Sequence, residues 1–161
     1  MGRSLSLEEA EGLSARLRSQ GRRIVLANGC FDLLHVGHIR YLQSAKQLGD
    51  VLIVALNSDA SVRRIKGPGR PLMSQAERAE ILAALGCVDY IVTFDDDTAD
   101  RVVARLRPHV QAKGTDYTEA SVPERETVSE AGGQVVIAGD PKTHSSRGLI
   151  SAILREFGGQ P

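Results

Sequence analysis

The sequence predicts an α/β fold in which one parallel β-sheet is covered by helices on both faces. Five short apolar runs of strand length alternate with helical patterns, and residues 51–56 are apolar without interruption, as buried parallel strands are. Aromatic residues make up only 4% of the chain and Trp is absent, so Ala, Val, Leu and Ile must fill the core. The 16 glycines suit the tight turns that join strands to helices.

The first half of the chain alternates strands and helices with clear end signals. Ser6 can cap the first helix and Gly21 ends it, while Gly49 ends the second helix. The predicted elements are, in order, a helix at 6–20, a strand at 23–28, a helix from His35 or Val36 to 48, a strand at 51–56, and a polar loop at 57–71 with one helical turn near 60–64.

The second half continues the alternation. Ser74 and Glu77 form a capping-box pattern, Pro123 suits a first helical position, and Ser145 or Ser146 can cap the last helix. The predicted elements are a helix at 74–86, a strand at 90–94, a helix at 98–107, a strand at 110–113, a helix at 124–131, a strand at 134–138 and a helix to about 157. Five strands are therefore predicted. Ligands of such sheets bind beyond the carboxyl ends of the strands, so the loops there are the candidate site.

Composition limits the class of protein. The 161 residues suit one domain, and we expect residues 1–22 to pack as a helix on a domain of residues 23–157, with 158–161 as a short tail. Lys plus Arg and Asp plus Glu each number 20, which argues against nucleic-acid and membrane-surface partners. Two cysteines make no disulfide framework, and no apolar run reaches the ~20 residues of a membrane span. We expect a cytoplasmic protein.

The loop after the first strand carries the strongest motif. His35 and His38 form an H-x-G-H pattern at a helix N-terminus, so both imidazoles point the same way from the first turn. Gly37 removes a side chain where a ligand can approach, and the free N–H groups of the helix end favour anions. The alternatives are two surface histidines, a metal site made with Cys30, or a nucleophilic role for Cys30.

Cations and hydroxyls occupy the other candidate loops. Four cations lie within residues 63–70 and can close over phosphates, although a solvated loop has the same composition. Gly114 permits close backbone approach, and Tyr117 offers a ring face to a base or sugar. The serines at 145–146 make a second anion site or merely a helix cap. The acidic run 95–97 suits a solvated loop better than a metal site.

Several common nucleotide and hydrolase motifs are absent. The sequence has no G-x-x-x-x-G-K-[ST], so it is not a Walker NTPase. It has no G-x-G-x-x-G for a dinucleotide and no G-x-S-x-G nucleophile elbow.

Residues 29–38, GCFDLLHVGH, resemble the first signature of the cytidylyltransferase-like nucleotidyltransferases. Residues 145–147 stand where that superfamily has a second, Ser/Thr-rich signature, here Ser-Ser-Arg instead of Ser-Thr-Thr. The sequence is most similar to bacterial heptose 1-phosphate adenylyltransferases, over residues 23–153. The resemblance implies a Rossmann-like three-layer sandwich, the HxGH nucleotidyltransferase fold, with a central five-stranded parallel sheet. It also implies transfer of an adenylyl group from ATP to D-glycero-D-manno-heptose 1-phosphate, releasing ADP-heptose and pyrophosphate for lipopolysaccharide-type heptose supply.

The resemblance assigns roles residue by residue. It implies catalytic roles for His35, His38, Lys66 and Arg78. It implies nucleotide binding by Gly29, Cys30, Phe31, Gly37, Lys113, Gly114, Asp116, Tyr117, Lys142, Ser145 and Ser146. It implies binding of the sugar phosphate by Asp32, Asn57, Asp59, Arg70, Asp97 and Thr98, with Asp32 a candidate for a sugar hydroxyl. Mg²⁺ is expected with ATP, bound mainly by phosphates and without a metal site on the protein.

The resemblance further implies a stand-alone homodimer that works with a kinase and a phosphatase on separate chains. One rival function is a CTP-dependent glycerol 3-phosphate or ethanolamine phosphate cytidylyltransferase, since these enzymes share the first signature. A second rival is a non-catalytic nucleotide-binding module.

Overall fold

A computed structural model describes residues 1–141 and 143–158 of the protein. The strands are β1 (Arg3–Leu5), β2 (Ile24–Gly29), β3 (Val51–Asn57), β4 (Tyr90–Phe94), β5 (Val110–Lys113) and β6 (Gln134–Ile137). They form one sheet in the order β1-β4-β3-β2-β5-β6, and all neighbouring strands are parallel. The predicted α/β class with a parallel sheet is confirmed.

The sheet has six strands, so the prediction of five is wrong. The additional strand, β1, pairs at the sheet edge with β4, where Arg3 lies opposite Tyr90 and Leu5 opposite Val92. It is only three residues long, and its first two residues are exposed. A strand that short has no measurable alternation of apolar and polar residues, so periodicity did not reveal it.

The helices are α1 (Leu7–Ser19), α2 (Val36–Lys46), α3 (Asp59–Lys66), α4 (Gln75–Ala84), α5 (Asp100–Leu106), α6 (Arg125–Glu130) and α7 (Ser146–Phe157), with a short 3₁₀ helix at Glu119–Ser121. The capping boxes at Ser6 and Ser74 are confirmed. Ser145 caps α7. The helical turn predicted within the polar loop is the two-turn helix α3, and Pro123 lies in the turn before α6 rather than in its first position.

Alternating strand side chains divide the core between the two faces of the sheet. Ile24 and Leu26 of β2 pack with residues of α1, α5 and α6, and we call this side the α1 face. Val25 and Ala27 pack with residues of α2 and α4 on the other side, the α2 face. Both groups are fully buried, which gives three layers with an apolar core on each side of the sheet.

The chain reverses its direction of strand addition at the centre of the sheet. From β2 it adds β3 and then β4 on one side, and it later adds β5 and β6 on the other side. The carboxyl ends of β2 and β5 therefore flank a crevice, which is where parallel α/β sheets bind ligands. Among the helices of the described residues, none is both long and apolar enough to cross a membrane.

Candidate active site

A cleft of about 570 Å³ opens at the carboxyl edge of the sheet. Most residues predicted for the site line it: Gly29, Cys30, Phe31, Asp32, His35, Gly37, His38, Asn57, Lys66, Arg70, Asp97, Thr98, Lys113, Gly114, Asp116, Tyr117, Ser145 and Ser146. Asp59 and Arg78 are not among the lining residues. The predicted nucleotide contact of Lys142 falls outside the described residues.

His35 and His38 cap α2 reciprocally. The backbone N–H of Gly37 donates to His35 Nδ1 (3.1 Å), and the backbone N–H of His35 donates to His38 Nδ1 (3.3 Å). A ring nitrogen that accepts a hydrogen bond carries no proton, so each neutral imidazole has its proton on Nε2. The ring centroids are only 3.9 Å apart, which disfavours two adjacent positive charges. The pair therefore supplies Nε2–H donors at the positive end of a helix.

Gly37 keeps the His35 ring in place. A Cβ added at Gly37 would lie 2.9 Å from His35 Cε1 and 3.0 Å from its Nδ1. The space above Gly37, predicted to admit an approaching ligand, is instead filled by the His35 imidazole.

We expect Gly37→Ala to lower kcat about 10- to 100-fold, because the added Cβ displaces the His35 imidazole, for which the resemblance implies a catalytic role. Steady-state kinetics checks this. Gly12→Ala is the matched control, since a Cβ on Gly12 in α1 meets nothing within 4 Å and activity should stay unchanged. Full activity of Gly37→Ala would show that the ring position is unimportant.

The loop between β2 and α2 has a strained backbone. Phe31 and Leu33 adopt φ angles of 47° and 57°. Residues other than glycine rarely adopt positive φ angles, and each such residue costs about 1–3 kcal/mol of conformational free energy. The Phe31 ring is 4% exposed and packs against His38 and Tyr41 at centroid distances of 5.5 and 6.4 Å. Phe31 thus supports the histidine pair from within the core, which differs from the direct nucleotide contact implied by resemblance.

Tyr41 packs against Phe31 and so also supports the histidine pair, although no sequence motif identified it. Its hydroxyl donates to the carbonyl oxygen of Ala112 in β5 at 2.7 Å. Burial raises the pKa of the Tyr41 phenol, so the group remains a protonated donor. This bond ties α2 to the strand on the far side of the crevice.

The Asp32 carboxylate faces protein donors. It accepts hydrogen bonds from the backbone N–H groups of Leu72 (2.9 Å) and Met73 (3.0 Å) and from Arg70 Nε (2.6 Å). Burial acts to raise the pKa of Asp32, but these three hydrogen bonds outweigh it and the pKa is lowered. The side chain has no exposed surface. The sugar-hydroxyl contact predicted for Asp32 is therefore replaced by a structural role, in which Asp32 anchors the segment that carries Arg70.

Arg78 lies beneath the cleft instead of in it. The side chain is 1% exposed. Its guanidinium donates to the carbonyl oxygens of Met73 (3.1 Å), Cys30 (2.6 Å) and Asn57 (2.9 Å) and to Asp59 Oδ1 (2.8 Å). These acceptors belong to the ends of β2 and β3, the start of α3 and the residue before the α4 cap. Arg78 and Asp59 thus join the site loops from below, and the predicted direct contacts with phosphate or sugar give way to positioning roles.

The start of α7 lies beside the start of α2. Ser145 Oγ accepts from Gly148 N–H (3.0 Å), and Ser146 Oγ donates to the carbonyl oxygen of Asp32 (2.7 Å). The N-termini of α2 and α7 therefore meet at one cleft, and both present positive dipole ends. The ring of His144 lies 6.5 Å from that of His35, which adds a third imidazole that no sequence motif identified.

The segment after β4 is joined to α3. Arg64 Nε donates to Asp97 Oδ1 at 2.9 Å, and Thr98 Oγ1 donates to Asp100 Oδ2 at 2.6 Å. Lys66 is the last residue of α3 and lines the cleft. Asp97, Thr98 and Lys66 thus form one wall, on the α3 side of the cleft.

Cys30 is not equipped as a nucleophile. Burial raises the pKa of its thiol, and the neighbouring cations Lys66, Arg78 and Arg70 offset only part of this effect. Within 1–141 and 143–158, no group of three or more His, Cys, Asp or Glu side chains is arranged to hold a metal ion. The metal site that Cys30 was considered to complete is therefore not formed by the described residues.

The family model of the cytidylyltransferase-like proteins matches residues 26–152, most of the chain. The chain belongs to the cytidylyltransferase-like family. It is a nucleotidyltransferase. The family generally uses a divalent metal ion together with a nucleoside triphosphate.

Relatives of this nucleotidyltransferase include two-function proteins. It is 50% identical over 153 residues to the bifunctional protein HldE of Geobacter sulfurreducens, which covers 95% of this chain and 31% of the relative. The HldE protein of Streptomyces coelicolor is 47% identical over 144 residues, covering 89% of this chain and 31% of the relative. The chain thus spans about a third of the length of these curated relatives.

Two solved structures share the fold. A lipopolysaccharide core biosynthesis protein from Thermoplasma volcanium has a TM-score of 0.66 and 27% identity, covering 76% of this chain and 100% of that one. A pantoate–beta-alanine ligase from Francisella tularensis also has a TM-score of 0.66, with 15% identity, covering 100% of this chain and 80% of that one. The ligase shows the likeness of fold alone.

Proposed function

We propose that this nucleotidyltransferase moves an adenylyl group from ATP to a sugar 1-phosphate, with D-glycero-D-manno-heptose 1-phosphate as the acceptor and lipopolysaccharide-type heptose supply as its purpose. One observation carries the proposal. The His35–His38 pair caps α2 beside the start of α7, so donors converge on a cleft of about 570 Å³ that can receive two phosphorylated substrates. Identity of about half to HldE proteins supports the choice of a heptose phosphate.

The reaction needs alignment more than acid–base chemistry. An oxygen of the acceptor phosphate attacks the α-phosphorus of ATP, a new P–O bond forms, and the bond from the α-phosphorus to the bridging oxygen breaks to release pyrophosphate. The attacking phosphate is largely ionised near neutral pH because its second pKa is about 6. Catalysis therefore consists of bringing two anions together and stabilising the charge that develops.

The residues divide this work by position. Nε2–H groups of His35 and His38 donate to the α-phosphate and its developing charge. The starts of α2 and α7, with Ser145 and Ser146, hold the β- and γ-phosphates. Lys66 bridges the attacking oxygen and the α-phosphate from the opposite wall. The backbone at 29–30 and 114–117, with the Tyr117 ring, receives the nucleoside.

Magnesium enters this scheme as part of the substrate. The cleft carboxylates of Asp32 and Asp97 accept hydrogen bonds from arginines, and that of Glu124 lies beside Lys113, so they are already neutralised. This donor set fits a Mg²⁺ ion that is carried by the phosphate oxygens of ATP, where it shields the charge of the pyrophosphate.

Pyrophosphate release by the purified chain tests the proposal. ATP and CTP are each paired with heptose 1-phosphate, hexose 1-phosphates, glycerol 3-phosphate and ethanolamine phosphate. We expect the highest kcat/KM with ATP and the heptose. Preference for CTP with glycerol 3-phosphate or ethanolamine phosphate would establish the cytidylyltransferase rival. ATP binding in calorimetry without pyrophosphate from any acceptor would establish a binding module.

Lys66→Ala should lower kcat about 100-fold while changing the Kd for ATP less than about threefold, because its ammonium acts on charge formed in the transition state. Kinetics and calorimetry measure the two values. Arg63→Ala, one turn earlier on the exposed face of α3, is the matched control and should match the parent. Weaker ATP binding with unchanged kcat would contradict the bridging role.

A homodimer, a kinase and a phosphatase on separate chains, and a cytoplasmic location stay predictions. Light scattering on the purified chain tests the first of them.

A further inference from the structure

A row of polar side chains lies on the α1 face at the carboxyl ends of the central strands. In β2 the residues Ile24 and Leu26 face α1, so alternation places Asn28 on that side as well. In β5 Val110 and Ala112 face α2, so Gln111 and Lys113 face α1. These residues lie on the sheet face opposite to the one that α2 and its histidine cap cover.

Glu124, which precedes α6, lies next to Lys113 at the end of this row. We call Asn28, Gln111, Lys113 and Glu124 the polar floor. Gln111, Lys113 and Glu124 are 0%, 5% and 1% exposed, yet Asn28, Lys113 and Glu124 line the cleft. Gln111 Nε2 donates to Asn28 Oδ1 at 2.9 Å, which joins the floor across β2 and β5.

The polar floor contains one buried acceptor without a partner and a second whose partner is an ion pair. Over the part of the chain that the structure describes, Gln111 Oε1 is buried without a hydrogen-bond partner, and Glu124 Oε2 has only the Lys113 ammonium, at 3.0 Å, as its partner. Burying an acceptor without a donor costs free energy, so native proteins rarely keep one unless a ligand or water completes it. Both atoms are oxygens with a lone pair to spare, so a group that binds them would be a hydrogen-bond donor.

Lys113 pairs with the Glu124 carboxylate and has further donor hydrogens. Its Nζ lies 3.0 Å from Glu124 Oε2 and 5.0 Å from the centroid of the Tyr117 ring. An ammonium has three donor hydrogens, so the pair presents a donor and an acceptor side by side. A sugar hydroxyl both donates and accepts, which matches this pair. A phosphate, which cannot donate when ionised, would be repelled by the carboxylate.

Glu124 is anchored to the wall that also carries Lys66. Its Oε1 accepts from the backbone N–H of Ala99 at 2.9 Å, immediately after Asp97 and Thr98. Asp97 in turn pairs with Arg64 of α3, the helix that ends at Lys66. The floor therefore lies between the wall that carries Lys66 and the Tyr117 ring.

We propose that Glu124 and Lys113 are specificity-determining residues that bind hydroxyl groups of a polyhydroxylated acceptor. Glu124 Oε2 accepts a hydrogen bond from one hydroxyl, and Lys113 Nζ donates to the same or the neighbouring hydroxyl. This inference rests on the proposed function and adds that the enzyme recognises hydroxyl groups of the acceptor. It changes the assignment of the Lys113 ammonium from nucleotide to acceptor.

Glu124→Gln tests the inference, because the amide keeps an acceptor for Ala99 N–H but loses the negative charge. We expect the KM for the acceptor sugar 1-phosphate to rise about 10- to 100-fold, with the KM for ATP within about twofold of the parent. Glu126→Gln, an exposed glutamate in the first turn of α6, is the matched control and should change neither value.

Deoxy analogues of the acceptor supply a second measurement that needs no variant. Parent enzyme should lose at least about 10-fold in kcat/KM for the analogue that lacks the hydroxyl bound by Glu124. In Glu124→Gln the same analogue should lose little more than the intact acceptor does. If the variant does not fold, equal use by the parent of all deoxy analogues overturns the inference.

The outcomes separate the inference from the function on which it rests. No turnover by the parent with any acceptor overturns the proposed function and the inference with it. An active parent with an unchanged acceptor KM in Glu124→Gln overturns the inference alone. A rise in the KM for ATP with an unchanged acceptor KM also overturns it, because the hydroxyls read would then be those of the nucleotide ribose.

Discussion

His38→Ala should lower kcat at least ~100-fold, the scale of losing one preorganised donor to a developing charge. The imidazole has two separable tasks. Its Nδ1 accepts the backbone N–H of His35, and its Nε2–H is the donor assigned to the α-phosphate. Alanine removes both, so steady-state kinetics on this variant measures their sum, and a urea unfolding curve measures the cap by itself. Near-normal turnover would remove the central assignment.

Two further variants at the same position separate the tasks. The substitution His38→Asn places an amide oxygen near the position of Nδ1 but leaves no group at the position of Nε2. We expect its stability to match the parent and its kcat to match the alanine variant. His38→Gln places an amide N–H near the position of Nε2 and should recover part of the rate. If the asparagine variant were fully active, the cap and not the donor would be the reason for a histidine at this position.

Arg78→Met should reduce the free energy of unfolding by about 3 kcal/mol, because several buried carbonyl oxygens lose their charged donor together. Met73, Cys30 and Asn57 supply these oxygens. Methionine preserves most of the apolar stem, so the loss reports the hydrogen bonds rather than a cavity. Urea unfolding monitored by circular dichroism measures the change. The kcat of the folded variant should also fall, because the loops that Arg78 joins are no longer held in place.

The matched control is Arg101→Met, since Arg101 has a 65% exposed side chain and a 3.9 Å surface ion pair. Its unfolding free energy should stay within about 0.5 kcal/mol of the parent. The unfolding free energy of Arg78→Lys should lie between those of the parent and Arg78→Met, because a single ammonium cannot reach all the acceptors that the planar guanidinium of Arg78 binds. Unchanged stability of Arg78→Met with a large loss of kcat would mean that Arg78 acts on substrate directly.

Local patterns predicted most of the secondary structure and the histidine pair. Five of the six strands carry continuous or alternating apolar runs, and the helix caps at Ser6, Ser74 and Ser145 are read within three or four residues. The sequence predicts only one turn where α3 spans Asp59–Lys66, because the polar residues there show no clear apolar periodicity. Contacts with a distant segment of the chain stabilise the longer helix. Arg64 on α3 contacts Asp97, more than thirty positions away, and no local pattern contains that contact.

Roles of single charged residues were harder to predict. The resemblance assigns Arg78 and Asp32 to ligands, and cations and carboxylates near an anion site usually do contact substrate. The structure gives Arg78 four protein acceptors and Asp32 three protein donors. Glu124 was not assigned at all, since a glutamate at the start of a short helix is common and its burial depends on Ala99 and Lys113.

Features that depend on residues close along the chain can be predicted from sequence, whereas features that depend on contacts between distant segments cannot. Sequence alone determined the α/β class, the H-x-G-H pattern at the start of α2 and the cluster of cations at 63–70, because each depends on residues that are close along the chain. Tertiary structure alone decided which charges face the cleft and which support it, because loops separated by up to about a hundred residues meet only at the carboxyl edge of the sheet. There, burial and competing hydrogen bonds decide whether a charged group remains available to a substrate.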